Sequence, residues 1–379
     1  MSALGNASSL PVERLTGGRL IIDLGAVRQN FRLIRERVTP ACVAAVLKAN
    51  AYGIGADMVA PVLWEEGCRR FFVADLHEAS TLQEVLPDGA RIFVLNGIAP
   101  GAESFAATRG ILPVLSSLEQ IDAWSEACAA QARRLPAAIQ VDTGMTRLGL
   151  SQREVDYLLS RPDWSHRIEP VLLMSHLACA DEPAHAANAE QLSRFLVYAS
   201  LLGGTELSFA NSGGVFLGTA FHGDCVRAGV ALYGVNPSSS IRNPMTPVVQ
   251  IDARVIQLRE VPAGTGVGYG LSHVTAGQRT LATVGVGYAD GWPRSLGGKG
   301  AVYFNGNRLP IVGRVSMDSM VIDVSEIPRG DIRPGSFVEL VGPHQSLEDV
   351  ARDAGTIAYE LLTLLGDRYA RSYVDDADV

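Results

Sequence analysis

The sequence predicts an α/β protein with two parts: an N-terminal (β/α)8 barrel of the TIM type and a C-terminal, mostly antiparallel β domain. Three observations carry this. Eight short apolar runs alternate with helix-length segments over about 190 residues. Most of those runs are continuous rather than alternating, which suits parallel strands covered on both faces. Beyond Asn236 the texture changes, with Pro237-Ser238-Ser239-Ser240 and Asn243-Pro244 followed by short Val/Ile-rich strands between Gly/Pro turns. A doubly wound sheet competes with the barrel, because strand order cannot be read from the runs.

In chain order, residues 19–23 read as a strand. Residues 26–38 read as a helix with Val27, Phe31 and Ile34 on one face. The barrel runs are 42–47, 71–74, 92–95, 111–115, 137–141, 170–174, 206–210 and 225–232. Counting 19–23 would give nine, one too many for the barrel, so that strand is assigned to the second domain. The expected division is 1–23 joining the β domain, 24–243 as the barrel and 244–379 as the β domain. Strands of the latter are expected at 248–257, 279–286, 301–304, 308–311, 320–324 and 336–340. One helix, 346–365, should start at Ser346 as N-cap with Asp349 three residues on.

Composition excludes several roles. A chain of 379 residues, 47% apolar, with a net charge of -8, does not suit a nucleic-acid or membrane-surface partner. The seven histidines and five cysteines show no metal-ligand spacing, so no metal is expected. An odd, scattered set of cysteines suggests reduced thiols and a cytoplasmic protein. Residues 1–18 lack a basic stretch followed by an apolar run, so no signal peptide is expected. No apolar run is long enough to span a bilayer.

Chemistry collects at the strand ends, where a barrel builds its site. Lys48 ends the first run, with Tyr52 close behind; burial would lower its pKa and make the amine a nucleophile or base. The fifth run leads into Asp142-Thr143-Gly144-Met145-Thr146-Arg147, the sixth into Ser175-His176, the seventh into Asn211-Ser212-Gly213-Gly214. The eighth carries Arg227-Ala228-Gly229-Val230. Each has a structural alternative: a snorkelling lysine, a helix-capping Asp142, a core His176, an Arg227 paired with a carboxylate. Together on one rim they favour a site. The loops after the seventh and eighth strands are a common phosphate position, and a phosphate facing a lysine suggests pyridoxal phosphate held as a Schiff base. A phosphosugar enzyme of the same architecture fits these features as well.

Ten stretches in order carry a resemblance. They are Val46-Leu47-Lys48-Ala49-Asn50-Ala51-Tyr52-Gly53, Val141-Asp142-Thr143-Gly144-Met145, Arg147-Leu148-Gly149, Ser175-His176-Leu177-Ala178, Ala210-Asn211-Ser212, Arg227-Ala228-Gly229, Ala231-Leu232-Tyr233-Gly234, Val267-Gly268-Tyr269-Gly270, Gly287-Tyr288-Ala289-Asp290-Gly291 and Gly313-Arg314-Val315-Ser316-Met317-Asp318. With them the chain resembles the alanine racemases, fold-type III pyridoxal-phosphate enzymes. The resemblance implies interconversion of L- and D-alanine by two bases, through an aldimine of pyridoxal 5'-phosphate on Lys48. Lys48 would serve one face of the substrate; Tyr269 would serve the other, from the second subunit of a homodimer with shared sites. Arg227 would hydrogen-bond the pyridine nitrogen with His176 behind it. Tyr52, Asn211, Ser212, Gly229 and Val230 would contact the cofactor, mostly at its phosphate. Arg147 and the Met317 N–H would hold the substrate carboxylate, with Tyr288 and Asp318 near the entrance. The resemblance leaves open a broader-specificity or serine racemase, and more weakly a fold-type III decarboxylase or a non-catalytic pyridoxal-phosphate carrier. It does not separate a role in peptidoglycan supply from D-alanine breakdown.

Three departures stand out. Where family members often carry a carbamylated lysine beside the substrate-binding arginine, this chain has Gln140, whose carbonyl oxygen is expected to accept from Arg147. Thr146 stands where glycine is expected, and a β-branched residue restricts the loop that aims Arg147. Near the C-terminus Asp367 occupies a place where some members have a phosphate-binding tyrosine; its charge would repel phosphate, and Tyr359 is a weak substitute. With no lysine at position 140 to carbamylate, stripping dissolved carbon dioxide should leave racemisation unchanged. A loss of rate that bicarbonate restores would refute this.

Overall fold

The computed structural model describes residues 15–161 and 163–375. They form two compact units. One runs from Ala26 to Thr246; the other joins the segment ending at Gly25 to the chain from Pro247 onward. No helix among the described residues is long and apolar enough to cross a membrane.

Strand β1 (Gly18–Asp23) belongs to the second unit. The first unit opens with the helix Leu24–Val38, whose Val27, Phe31 and Ile34 are buried along one face. Eight parallel strands follow: β2 (Cys42–Val46), β3 (Arg70–Val73), β4 (Arg91–Val94), β5 (Leu112–Leu115), β6 (Pro136–Gln140), β7 (Glu169–Met174), β8 (Glu206–Ser208) and β9 (Cys225–Ala228). Each pairs with the next, and β9 returns to β2, with Cys42 opposite Cys225 and Ala44 opposite Arg227. The remaining seam, between β8 and β9, is closed by single bonds. The Asp224 N–H donates to Leu207 O (2.8 Å) and the Arg227 N–H to Ala210 O (2.9 Å). This is a closed (β/α)8 barrel. Its strands bury residues on both faces: Ala44 and Ala45, Phe71 and Phe72, and the four residues of β5 are all buried.

In the second unit, β10 (Val249–Val261) is the long organiser. It pairs antiparallel with β1 over its first half and with β13 (Arg279–Val284) over its second, after a register shift between Val255 and Gln257. Between them come β11 (Gly266–Val267) and β12 (His273–Val274), a two-stranded hairpin. Then follow β14 (Ala301–Phe304), β15 (Asn307–Val312), β16 (Met320–Asp323), β17 (Phe337–Val341) and β18 (Ala370–Val374). The order β13-β16-β15-β14-β17-β10, with β10 also paired to β13, closes six strands on themselves. β1 lies outside that ring between β10 and β18, and its pairing with β18 is parallel.

Three expectations are corrected. The run 225–232 stops as a strand at Ala228, and Val230–Tyr233 is a buried 3₁₀ turn. The reason is local: Ser212 Oγ accepts from the N–H groups of Gly229 (2.9 Å) and Ala231 (3.3 Å), and Tyr233 Oη donates to Val46 O (2.7 Å), replacing a ladder. The helix expected at 346–365 is two, Leu347–Ala354 and Ala358–Thr363, parted at Gly355 with φ 74°. Its start is as expected, with Ser346 and Asp349 forming a capping box. β18 was not expected at all.

Candidate active site

Lys48 follows β2 after one residue and begins a turn of the wrong hand. Ala49, Asn50, Ala51 and Tyr52 have φ of 53°, 55°, 52° and 56°. A left-handed turn of non-glycine residues costs about 1–2 kcal/mol per residue. Fixed partners hold it. Ala49 N–H donates to Glu78 Oε1 (2.6 Å), Ala56 N–H to Asn50 Oδ1 (2.7 Å) and Ala51 N–H to Leu47 O (2.8 Å). Tyr52 is buried, its ring 4.9 Å from that of Tyr233. The half-buried Lys48 amine has no hydrogen-bond or ion-pair partner among the described residues. Burial, then the Arg147 cation, hold its pKa below the usual lysine value, with Glu78 opposing weakly.

Arg227, on β9, is fully enclosed. Its Nη1 donates to Ser208 O (2.8 Å) and Ser208 Oγ (2.6 Å), and its Nη2 to Ser175 O (2.6 Å) and, at 3.5 Å, to Phe209 O. Among the described residues no carboxylate pairs with it, so that structural alternative fails. Burial brings its pKa down to about 10, still cationic at neutral pH. Its Nε–H is the one guanidinium donor without a partner among the described residues. His176 stands in the same positive field: burial first, then Arg227, Arg147 and Lys48, lower its pKa to about 3. It is a neutral imidazole at physiological pH.

Around Ser212 the chain closes tightly. A Cβ placed on Gly229 would lie 2.5 Å from Tyr52 Oη, so only glycine admits the phenol here. The Tyr52 and Ser212 hydroxyls therefore converge on the start of the Val230–Tyr233 turn. Asn211 Oδ1 accepts the Gly214 N–H (2.9 Å) and shapes the neighbouring turn.

The Asp142–Gly149 loop departs from two expectations. Asp142 caps no helix; its Oδ1 accepts the N–H groups of Gly144, Met145 and Thr146 at 2.9, 3.0 and 3.1 Å. Gln140 does not receive Arg147. Its Nε2 donates to Leu148 O (3.1 Å), because β6 turns the amide toward the loop backbone, and Arg147 donates no hydrogen bond among the described residues. Thr146 has φ 57°, a conformation that a β-branched residue rarely adopts.

The other expected residues lie in the second unit. Tyr269 sits at the tip of the β11–β12 hairpin, flanked by Gly268 and Gly270 with φ of 70° and 71°, and is 71% exposed. The Tyr288 N–H donates to Ser316 O and the Ala289 N–H to Met317 O, both 3.0 Å. A Cβ on Gly287 would lie 2.4 Å from Met317 O, so this approach requires glycine. Arg368 grips Asp290 with Nε (2.7 Å) and Nη2 (2.8 Å), and reaches Asp318 with Nη1 (2.6 Å). The exposed Met317 keeps its N–H without a partner among the described residues. Sequence reading gave no role to Arg368, Glu78 and Ser208, and quoted Asp290 only within a matching stretch.

The family model for the alanine racemase N-terminal domain matches residues 22–237, and that for the C-terminal domain matches residues 248–373. The chain belongs to the alanine racemase family. A catabolic alanine racemase of Agrobacterium fabrum is 52% identical over 357 residues, covering 94% of this chain and 92% of the relative. An alanine racemase of Brucella ovis is 49% identical, covering 94% of each. Among solved structures, alanine racemase of Bartonella henselae with covalently bound pyridoxal phosphate superposes with a TM-score of 0.92 at 46% identity, covering 94% of this chain and 99% of its own. Biosynthetic alanine racemase of Pseudomonas aeruginosa gives 0.87 at 34% identity, covering 95% and 99%.

Thr146→Gly is expected to stabilise the protein. Relief of about 1–3 kcal/mol of backbone strain exceeds the roughly 0.5–1 kcal/mol entropic cost of glycine, a net gain on the order of 1 kcal/mol in denaturant unfolding. An unchanged or lowered midpoint would contradict it. His176 sets a pH dependence: its pKa falls from 6.5 unfolded to about 3 folded, so its contribution is intact above 6.5 and lost as pH falls toward 3. Between about pH 7.5 and about pH 5 the loss from this group should reach up to about 2 kcal/mol, and His176→Gln should remove it.

Proposed function

We propose that the chain interconverts L- and D-alanine, with pyridoxal 5'-phosphate as its cofactor and Lys48 and Tyr269 as its two bases. The observation that carries this is the presence, on one barrel rim, of a Lys48 amine of lowered pKa and a buried Arg227 Nε–H, neither with a partner among the described residues. Pyridoxal phosphate, when bound, draws electrons from the substrate Cα and so acidifies its proton.

This chain's residues supply the rest. Lys48 would carry the cofactor aldehyde and, as a desolvated amine, move the proton at Cα on one face. Tyr269, presented by its hairpin from the second subunit of a homodimer, would move a proton on the opposite face. Arg227 would donate its Nε–H to the ring nitrogen. A guanidinium keeps its proton, so Arg227 would leave that nitrogen unprotonated and would temper the electron withdrawal the cofactor supplies. That suits reversible proton exchange and limits side reactions. His176, neutral, adds no further charge behind it.

The hydroxyls of Tyr52 and Ser212, with Asn211, Gly229 and Val230, would receive the phosphate, where short turns begin and N–H groups converge. Arg147 and the free N–H of Met317 would hold the substrate carboxylate. Gln140 fixes the Arg147 loop through Leu148 O rather than by touching the arginine. Tyr288 and Asp318 would border the entrance, held through Ser316 O and Arg368. A cytoplasmic location fits the five free cysteines.

Lys48→Ala should abolish both covalent retention of pyridoxal phosphate after denaturation and racemisation of either enantiomer. Tyr269→Phe should retain the covalent link and lose racemisation by about 10²–10⁴-fold. Co-expressing the two variants should restore activity, because a mixed dimer holds one intact site. A Tyr269→Phe enzyme with wild-type rates in both directions would remove the second base, and no recovery in the mixed dimer would remove the shared site.

A further inference from the structure

The end of the barrel remote from Lys48 holds a feature that the racemase reading does not use. Cys42 and Cys225 are matched residues of β2 and β9, the first and last barrel strands. Neighbouring strands lie about 4.8 Å apart, within the Cα separation that a disulfide spans. Both side chains stand at the N-terminal ends of their strands, whereas Lys48 follows the C-terminal end of β2. Cys225 is fully buried and Cys42 half-buried, so only one of the two sulfurs is open to a reagent.

The surroundings are charged. The Arg70 guanidinium pairs with both oxygens of Glu206, one of them at 2.9 Å, and Arg91 stands opposite Arg70 on β4. Against burial, the adjacent Cys225 thiol and then Arg70 bring the Cys42 thiol down to about 7, with Glu206 opposing. The adjacent Cys42 and burial push Cys225 well up, and burial pushes the nearby Cys68 to about 12. One sulfur is thus a thiolate in part at neutral pH, beside a neutral thiol.

We propose that Cys42 and Cys225 form a site of reversible oxidation by hydroperoxides, with Cys42 the reacting sulfur and Cys225 the resolving one. The Cys42 thiolate attacks one oxygen of hydrogen peroxide. The O–O bond breaks, hydroxide leaves, and the sulfur, oxidised by two electrons, becomes a sulfenic acid. The Cys225 thiol then attacks that sulfur, the S–O bond breaks, and water leaves with the thiol proton. The disulfide joins the first and last strands of the barrel at its base. A dithiol reductant returns both thiols.

The test uses the purified holoenzyme, exposed to graded hydrogen peroxide, alkylated under denaturing conditions and mapped by mass spectrometry without reduction. The expected result is a linked Cys42–Cys225 peptide that accumulates before modification of Cys179, which is similarly half-buried, and disappears with dithiothreitol. In Cys225→Ser, Cys42 should be trapped by dimedone as sulfenic acid; in Cys42→Ser, Cys225 should stay reduced. Retained alanine racemisation checks that each variant is folded. Cys42 reacting no faster than Cys179, or the absence of a linked peptide in the wild type, overturns the proposal whatever the variants do. Neither outcome bears on the racemase reading, since neither thiol belongs to that site.

Discussion

The guanidinium of Arg227 is a buried cation with no carboxylate against it, and much of the barrel's functional rim follows from how it is satisfied. Removing an ion from water costs several kcal/mol even after relaxation. Here the compensation comes from Ser175 O, Ser208 O, Ser208 Oγ and Phe209 O, so the ends of β7 and β8 must converge on one strand of β9. Because dipoles rather than a charge do this work, the cation's field is not cancelled locally. With burial, which counts for more, it keeps the His176 imidazole neutral. Lys48 and Arg147 add their own charge to the same rim, which makes it a receptive place for anionic groups.

Strain is concentrated beside that field. The left-handed turn from Ala49 to Tyr52 and the αL conformation of Thr146 are conformations that unconstrained chain would avoid. Both are held by acidic or amide side chains that accept backbone N–H groups: Glu78 and Asn50 in the first, Asp142 in the second. These acceptors touch no strand-end residue side chain, yet they decide where Lys48 and Arg147 point.

The barrel was legible because parallel strands covered on both faces leave continuous apolar runs. Their ends were read only to within a residue or two, since ladders rather than hydrophobicity define them. Val230-Ala231-Leu232-Tyr233 misled for the same reason: a buried turn is as apolar as a strand. Gly355 divides the late helix, but a lone glycine does not announce itself as a C-cap. β18 escaped because it is short, carries Arg371 and Ser372, and pairs with a strand at the other end of the chain. In the site, Lys48 and Arg227 were readable as charged residues at the ends of apolar strands. Glu78 was not, because its partners are backbone N–H groups of Ala49 and Ala74. The Gln140–Arg147 contact failed because residue type names a donor and an acceptor but not which neighbour takes them.

The placing of β1 has a consequence for how the molecule is made. Gly18–Asp23 is synthesised before the barrel, yet its two neighbours in the sheet are Val249–Val261 and Ala370–Val374. About 220 residues of the barrel are synthesised in between, and at translation rates of roughly 5–20 residues per second β1 waits on the order of tens of seconds for its first partner. Its other neighbour, β18, is synthesised later still. The barrel unit, continuous in sequence, can assemble during synthesis, whereas the β unit is completed only once Ala370–Val374 has been made, with β1 lacking that neighbour until then.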